Sequence, residues 1–318
     1  MWKWIMLFLK VLLVLFLFVI FAVALLLWLG SKRSAAKEKY YEDLKTDFPL
    51  EQKYALPGPY TVISKAYELS RVKYGPCKVW YPADLENTDK SYPLVVMVNG
   101  SGVKASKYEP IFVHLASWGF IVIGNEDGSS WSGESSATCL DLMISENSNQ
   151  DSIFFGKIDL EHVGIAGHSQ GGVGTINAAT SQNNAHYYKA IYAASTTHLA
   201  LAEALKWPYD ISQIKAPCFL TAGTLKNDAG NGKDVAGIAP LWSLQENYNA
   251  IDCGIRKIYA RRVGIDHGDV LLFADSYMTA WFLWLLCDDG EAANVFTGEE
   301  PEIYRNSNWQ DIESNIPR

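Results

Sequence analysis

No cysteine or histidine cluster in this chain has the spacing of a metal site, so neither zinc-finger nor zinc-hydrolase chemistry is expected from it. The five cysteines, Cys77, Cys139, Cys218, Cys253 and Cys287, form no paired motif, and their odd number leaves at least one thiol unpaired per chain. That argues against a small disulfide-stapled scaffold. Cys218 and Cys287 lie in apolar segments and are read as buried hydrophobes. An excess of basic charge is also missing, since 27 Lys and Arg face 35 Asp and Glu. Such a surface repels nucleic acid and anionic headgroups. Repeats and low-complexity segments are absent as well.

Residues 11–30 carry no charge and are dominated by Leu, Val and Phe, enough to cross a bilayer as one helix. A cleaved signal peptide would have a shorter apolar core, and Lys32 and Arg33 stand before the small residues Ser34, Ala35 and Ala36. An uncleaved membrane anchor is therefore expected. Lys3 and Lys10 on one side balance Lys32, Arg33, Lys37 and Lys39 on the other, so charge does not orient it. A short tail before a single helix suits a signal anchor, which places the remaining chain outside the cell. The expected organisation is a cytoplasmic tip and anchor at 1–33, a mixed-charge spacer at 34–54, and one domain at 55–318.

Beyond residue 55 strand-like and helix-like segments alternate, the pattern of a mostly parallel α/β sheet with helices on both faces. Strands are expected at 78–81, 94–99, 120–124, 163–166, 190–194, 218–222 and 256–263, several as continuous apolar runs suited to central positions. Helices are expected at 109–118, 137–145, 172–181, 240–248 and 270–287. Ligands on such sheets bind at the carboxyl ends of the strands.

One of those ends carries Gly167-His168-Ser169-Gln170-Gly171, between an apolar strand and a helix of small residues. This is the form of a nucleophile elbow, in which the serine is held in strained backbone and bulky neighbours would collide. The alternatives fail on composition. Gly171 is followed by Gly172 and Val173 rather than the Lys of a phosphate loop, and the glycine spacing does not fit a dinucleotide site.

A serine nucleophile needs a base, and the base needs an acid to orient it. His114, His162 and His168 precede the serine, His186 lies in a polar segment, and His198 precedes every candidate acid. His267 remains, in the loop Gly264-Ile265-Asp266-His267-Gly268-Asp269. Asp228 and Asp234 both follow the 218–222 strand, and Asp228 is favoured because it stands nearer the strand end. Backbone N–H groups for an oxyanion would come from Gln170 and from the loop Asn99-Gly100-Ser101-Gly102, with Ser101 ahead of Gly102. Asn99, Gly100 and Trp131 are candidate substrate-binding residues; Trp131, like Trp207, could equally be packing.

Taken together, residues 98–102, 167–172, 223–228 and 266–268 resemble an α/β-hydrolase, and most nearly the cap-less dienelactone hydrolase, cutinase and polyester-hydrolase-like esterases. The resemblance covers about residues 55–290. It implies a serine esterase with Ser169 as nucleophile, His267 as base and Asp228 as acid, working without metal or organic cofactor. Two positions depart from it. Gln170 replaces a Met common in cutinase-like enzymes, and Ala193-Ala194-Ser195-Thr196 lacks the stacking Trp of polyester hydrolases. Only about one short helix fits between the strand after the elbow and the acid-bearing strand, so an open site is expected. A small or lipid-like ester is the expected substrate. A peptidase, an acyltransferase and a silent binding module are the alternatives.

Overall fold

The computed structural model describes residues 46–68, 74–231 and 236–317, together with Trp2, Met6, Leu15, Phe16, Tyr41 and Leu44. The chain divides into two units, Met1–Leu44 and Lys45–Arg318. In the first, Trp2, Met6, Leu15 and Phe16 are helical and exposed, and the rest of the expected 11–30 span lies outside the described residues. Among the described residues no single helix is long and apolar enough to cross a membrane.

Among its described residues the second unit has nine strands: β1 (Val62–Tyr67), β2 (Cys77–Pro82), β3 (Tyr92–Val98), β4 (Ile121–Asn125), β5 (Ile158–His168), β6 (Tyr188–Ala194), β7 (Cys218–Gly223), β8 (Lys257–Arg262) and β9 (Trp309–Ser314). Their order in the sheet is β1-β2-β4-β3-β5-β6-β7-β8-β9. The run from β4 to β8 is parallel, and β1, β2 and β9 pair antiparallel at the two edges. The parallel strands read as near-continuous apolar segments because both faces are covered. On one face Leu94, Val96, Val98, Ile165 and Leu220 join a core with Cys139, Met143, Val173 and Ile176. On the other, Phe219 packs on Tyr192, Trp281 and Phe296, and Phe120 on Phe282.

The helices that matter here are α1 (Pro49–Ala55), α2 (Glu109–Ser117), α3 (Glu134–Ser148), α4 (Gln170–Ser181), α5 (Leu199–Ala204), α6 (Leu241–Ala250) and α7 (Asp275–Cys287). A Cβ on Gly164 would stand 2.7 Å from the Phe282 ring, so this glycine lets α7 close on β5. The expected single helix at 270–287 is broken after a short turn, Val270–Phe273, and the two parts are bent by 50°. Arg262 Nε donates to Phe273 O at 2.9 Å, taking up a carbonyl at the break. Cys218 is buried as expected, whereas Cys287 is exposed at the end of α7.

The domain begins earlier than residue 55, because α1 lies within the stretch expected to be a spacer. Glu302 accepts the N–H groups of Leu50 and Glu51 at 2.9 and 2.7 Å, satisfying two of the orphan donors of the first turn. Glu51 itself is fully buried, 3.3 Å from Arg262 Nη2, and accepts Asn308 Nδ2 at 2.7 Å and Thr46 Oγ1 at 2.8 Å. Buried charge of this kind is retained only when paired and hydrogen-bonded. The edge strands β1 and β9 were not expected, since their mixed, half-exposed residues carry no apolar run.

Candidate active site

Four loops converge at the carboxyl ends of β3, β5, β7 and β8. Ser169 leaves β5 with φ 62° and ψ −121°, a left-handed conformation costly for any residue but glycine. The glycines around it are there for space. A Cβ on Gly167 would lie 2.2 Å from Gly171 O, and one on Gly171 would lie 2.3 Å from Val98 O. Ser169 is half-buried at the start of α4.

His267 lies after β8, its side chain 15% exposed. Its Nε2 is 2.8 Å from Ser169 Oγ and its Nδ1 is 2.6 Å from Asp228 Oδ1. Asp228 is fully buried in the short helix Lys226–Ala229 after β7. Its second oxygen accepts the Ser195 hydroxyl and the Gly223 N–H, both at 2.6 Å. Burial pushes the Asp228 carboxyl up, but the His267 hydrogen bond and charge, with those two donors, outweigh it and hold it below the usual carboxylate range. An ionised Asp228 makes Nδ1 the donor and leaves Nε2 free to accept the serine proton. Asp234, the other acid weighed from the sequence, lies outside the described residues.

The loop after β3 departs in part from its expected role. Asn99 is buried, and its Nδ2 donates to Asn125 O at 2.7 Å and Asp127 O at 2.8 Å. It ties the loop to the end of β4. Gly100 N–H donates to Tyr108 OH at 3.3 Å, and burial, against the pull of that N–H, pushes the Tyr108 phenol up to about 12. Gly102 N–H is committed to Gly128 O at 2.8 Å, which removes it from the two oxyanion candidates and leaves Ser101. The Gln170 side chain is buried and its Oε1 accepts Ser130 N–H at 3.0 Å. Trp131 and Trp207 are half-buried and packed on the main core.

His168 packs on His267, with rings 4.7 Å apart and its Nε2 2.6 Å from His267 O. His198 caps α5 by accepting Leu201 N–H at 3.3 Å, with its ring on Trp242; burial, opposed by Glu246, holds its pKa below the usual histidine value. Sequence reasoning missed Ser195, Ser130 and Asp266, whose roles come from contacts between loops. No sequence pattern announces them, and the left-handed φ of 46° that Ser195 adopts is visible only in the structure. Among the described residues only α5 and a 3-10 turn, Ile211–Gln213, stand between β6 and β7. Among the described residues no group of three or more His, Cys, Asp or Glu is arranged to hold a metal ion.

The chain is 29% identical over 134 residues to a bis(hydroxyethyl) terephthalate hydrolase of Streptomyces coelicolor (strain ATCC BAA-471 / A3(2) / M145). That match spans 40% of this chain and 41% of the relative. A family model described as PETase, PET hydrolase-like, matches residues 52–223, more than half of the chain and including the elbow. On that match, the chain belongs to the PET hydrolase-like family.

Proposed function

We propose that this protein is a serine hydrolase of carboxylic esters in which Ser169, His267 and Asp228 form the catalytic triad. The observation that carries the reading is the continuous hydrogen-bond chain from Ser169 Oγ through the His267 ring to Asp228. Ser169 Oγ attacks the acyl carbon while His267 Nε2 takes its proton, and Asp228 supports the resulting imidazolium. The proton then passes to the leaving alcohol, and water repeats the sequence on the acyl-enzyme. Backbone N–H groups of Gln170 and Ser101 hold the tetrahedral oxyanion, a contribution of about 3 kcal/mol per donor in comparable sites.

Family membership and the terephthalate-ester activity named for the Streptomyces relative support small esters of aromatic acids as substrates. The uncharged run at 11–30 supports attachment of the domain to a membrane, and the short tail ahead of it supports a location on the outer face. Protease treatment of intact cells tests that location, and cleavage only after lysis would reject it. For the chemistry, a fluorophosphonate should label the protein and not its Ser169→Ala variant. Ser169→Ala should also abolish turnover of bis(hydroxyethyl) terephthalate and p-nitrophenyl acetate. Substantial turnover by a folded Ala variant would sink the assignment.

A further inference from the structure

Asp228 and His267 stand on separate loops, and the sheet ladder that relates them ends at the pair Gly223 and Arg262. Beyond that pair, loop contacts must set their separation. The carboxylate of Asp266 supplies three of these. Its Oδ1 accepts the backbone N–H of Asn227 at 2.8 Å, of Asp228 at 3.3 Å and of His267 at 2.9 Å. Its Oδ2 accepts Asn227 Nδ2 at 2.8 Å. Ile265 O adds two bonds, from Thr224 N at 3.0 Å and Leu225 N at 3.1 Å, and Thr224 Oγ1 accepts Gly264 N–H at 2.8 Å. A Cβ on Gly223 would stand 2.3 Å from Ile265 O, so the approach of the two loops requires glycine there.

We propose that Asp266 is a positioning residue whose carboxylate fixes the acid-bearing loop against the histidine-bearing loop and so sets the Asp228–His267 hydrogen bond. The proposal rests on the triad reading above. One charged acceptor receives N–H groups from both members of the pair, and bonds to an ionised acceptor are the stronger kind. No other described side chain accepts from the backbone of both residues. An uncharged, shorter side chain would leave the Asn227 and His267 backbone donors without their acceptor, leave Asp228 N–H with Leu225 O alone at 3.2 Å, and free the loops to separate.

Steady-state kinetics of the full-length chain in detergent, with p-nitrophenyl acetate, test this. Asp266→Ala should lower kcat about 100-fold, the scale of a small misplacement in an active site, with KM within about twofold. Asp266→Asn should also lose activity, because its amide N–H₂ would meet that of Asn227. Adding Asn227→Asp to Asp266→Asn restores a donor opposite an acceptor and should recover most of the lost kcat. A structural defect alone would not be rescued by that exchange. The low-field proton resonance of His267 Nδ1–H should shift or vanish in Asp266→Ala and persist in Ser169→Ala. A folded Asp266→Ala variant with wild-type kcat and an unmoved resonance would overturn the proposal. If Asp266→Ala does not fold, absence of rescue by the exchanged pair overturns it instead. Should Ser169→Ala retain turnover, the triad reading fails, while the resonance still reports on the clamp.

Discussion

Gln170 Oε1 accepts the backbone N–H of Ser130 at 3.0 Å, which ties the residue after the nucleophile to the loop after β4. Ser130 in turn donates its hydroxyl to Asn99 O at 2.5 Å, and Gly102 N–H reaches Gly128 O. The elbow, the 99–102 loop and the loop carrying Trp131 are thus joined by hydrogen bonds. Gln170 therefore has two separable parts. Its main-chain N–H is the proposed oxyanion donor, and its side chain is spent on the neighbouring loop.

Gln170→Met separates them. The variant keeps the N–H at position 170 but leaves the buried Ser130 N–H without its acceptor, a cost of about 1–3 kcal/mol. Urea unfolding should show that loss. The kcat for small esters should fall less than tenfold, since the donor itself is a main-chain group. A drop of several hundredfold would mean that the side chain takes part in the chemistry.

Ser169→Ala and His267→Ala should each remove nearly all activity, and the double variant should be no worse than either single one. Members of a proton-transfer unit fail together because each needs the other. Additive losses in kcat/KM would show that the two residues act separately.

Asp228 links the site to pH. Its folded pKa is depressed, so the stability it contributes is present above the ordinary aspartate value and lost as pH falls through the folded value. The stability of the wild type relative to Asp228→Asn should therefore shrink as the pH falls below the ordinary aspartate value of about 4. Chemical denaturation at a series of pH values measures it. An advantage that stays constant with pH would contradict an ionised Asp228. At neutral pH the Asn variant should lose activity by orders of magnitude through the wrong imidazole tautomer.

The elbow is legible in the sequence because its steric demand falls on residues adjacent in the chain. The central strands are legible because burial on both faces writes an apolar run. The loops of Asp228 and His267 follow from strand order. Ser195, Ser130 and Asp266 are not legible in that way. Each acts through hydrogen bonds to a segment distant in sequence, and a polar residue in a polar loop carries no mark of its partner. The break before α7 is hidden for the same reason, since Arg262 lies on β8 and the carbonyl it takes lies in the helical turn before α7.

The role of α1 predicts where the domain can be cut. Removing residues up to 45 should leave a folded domain, whereas removing residues up to 55 strips Glu51 from Arg262 and should prevent stable folding. Within the full chain, Glu51→Ala leaves the Arg262 charge buried and uncompensated, a loss of about 3–5 kcal/mol. Thermal unfolding should report it, with kcat per folded molecule unchanged because Ser169, His267 and Asp228 hold together through their own contacts. If the domain lacking residues up to 55 were as stable as the intact chain, α1 would be the spacer that its charge pattern suggests.

Gly171 gives the strictest test of the elbow. Alanine is a better helix former than glycine by about 1 kcal/mol, and position 171 is in the first turn of α4, so propensity alone predicts that Gly171→Ala stabilises the protein. Contact predicts the opposite. The added Cβ would lie 2.3 Å from Val98 O and 2.6 Å from Asn99 O, both main-chain atoms that cannot rotate away. Either α4 or the end of β3 must then move, and both carry groups of the site: the Gln170 N–H opens α4 and Ser101 follows β3. Gly171→Ala should therefore lose both stability and esterase activity, with the fluorophosphonate reacting more slowly at Ser169. A variant that is more stable and equally reactive would show that the elbow does not need its glycine for space.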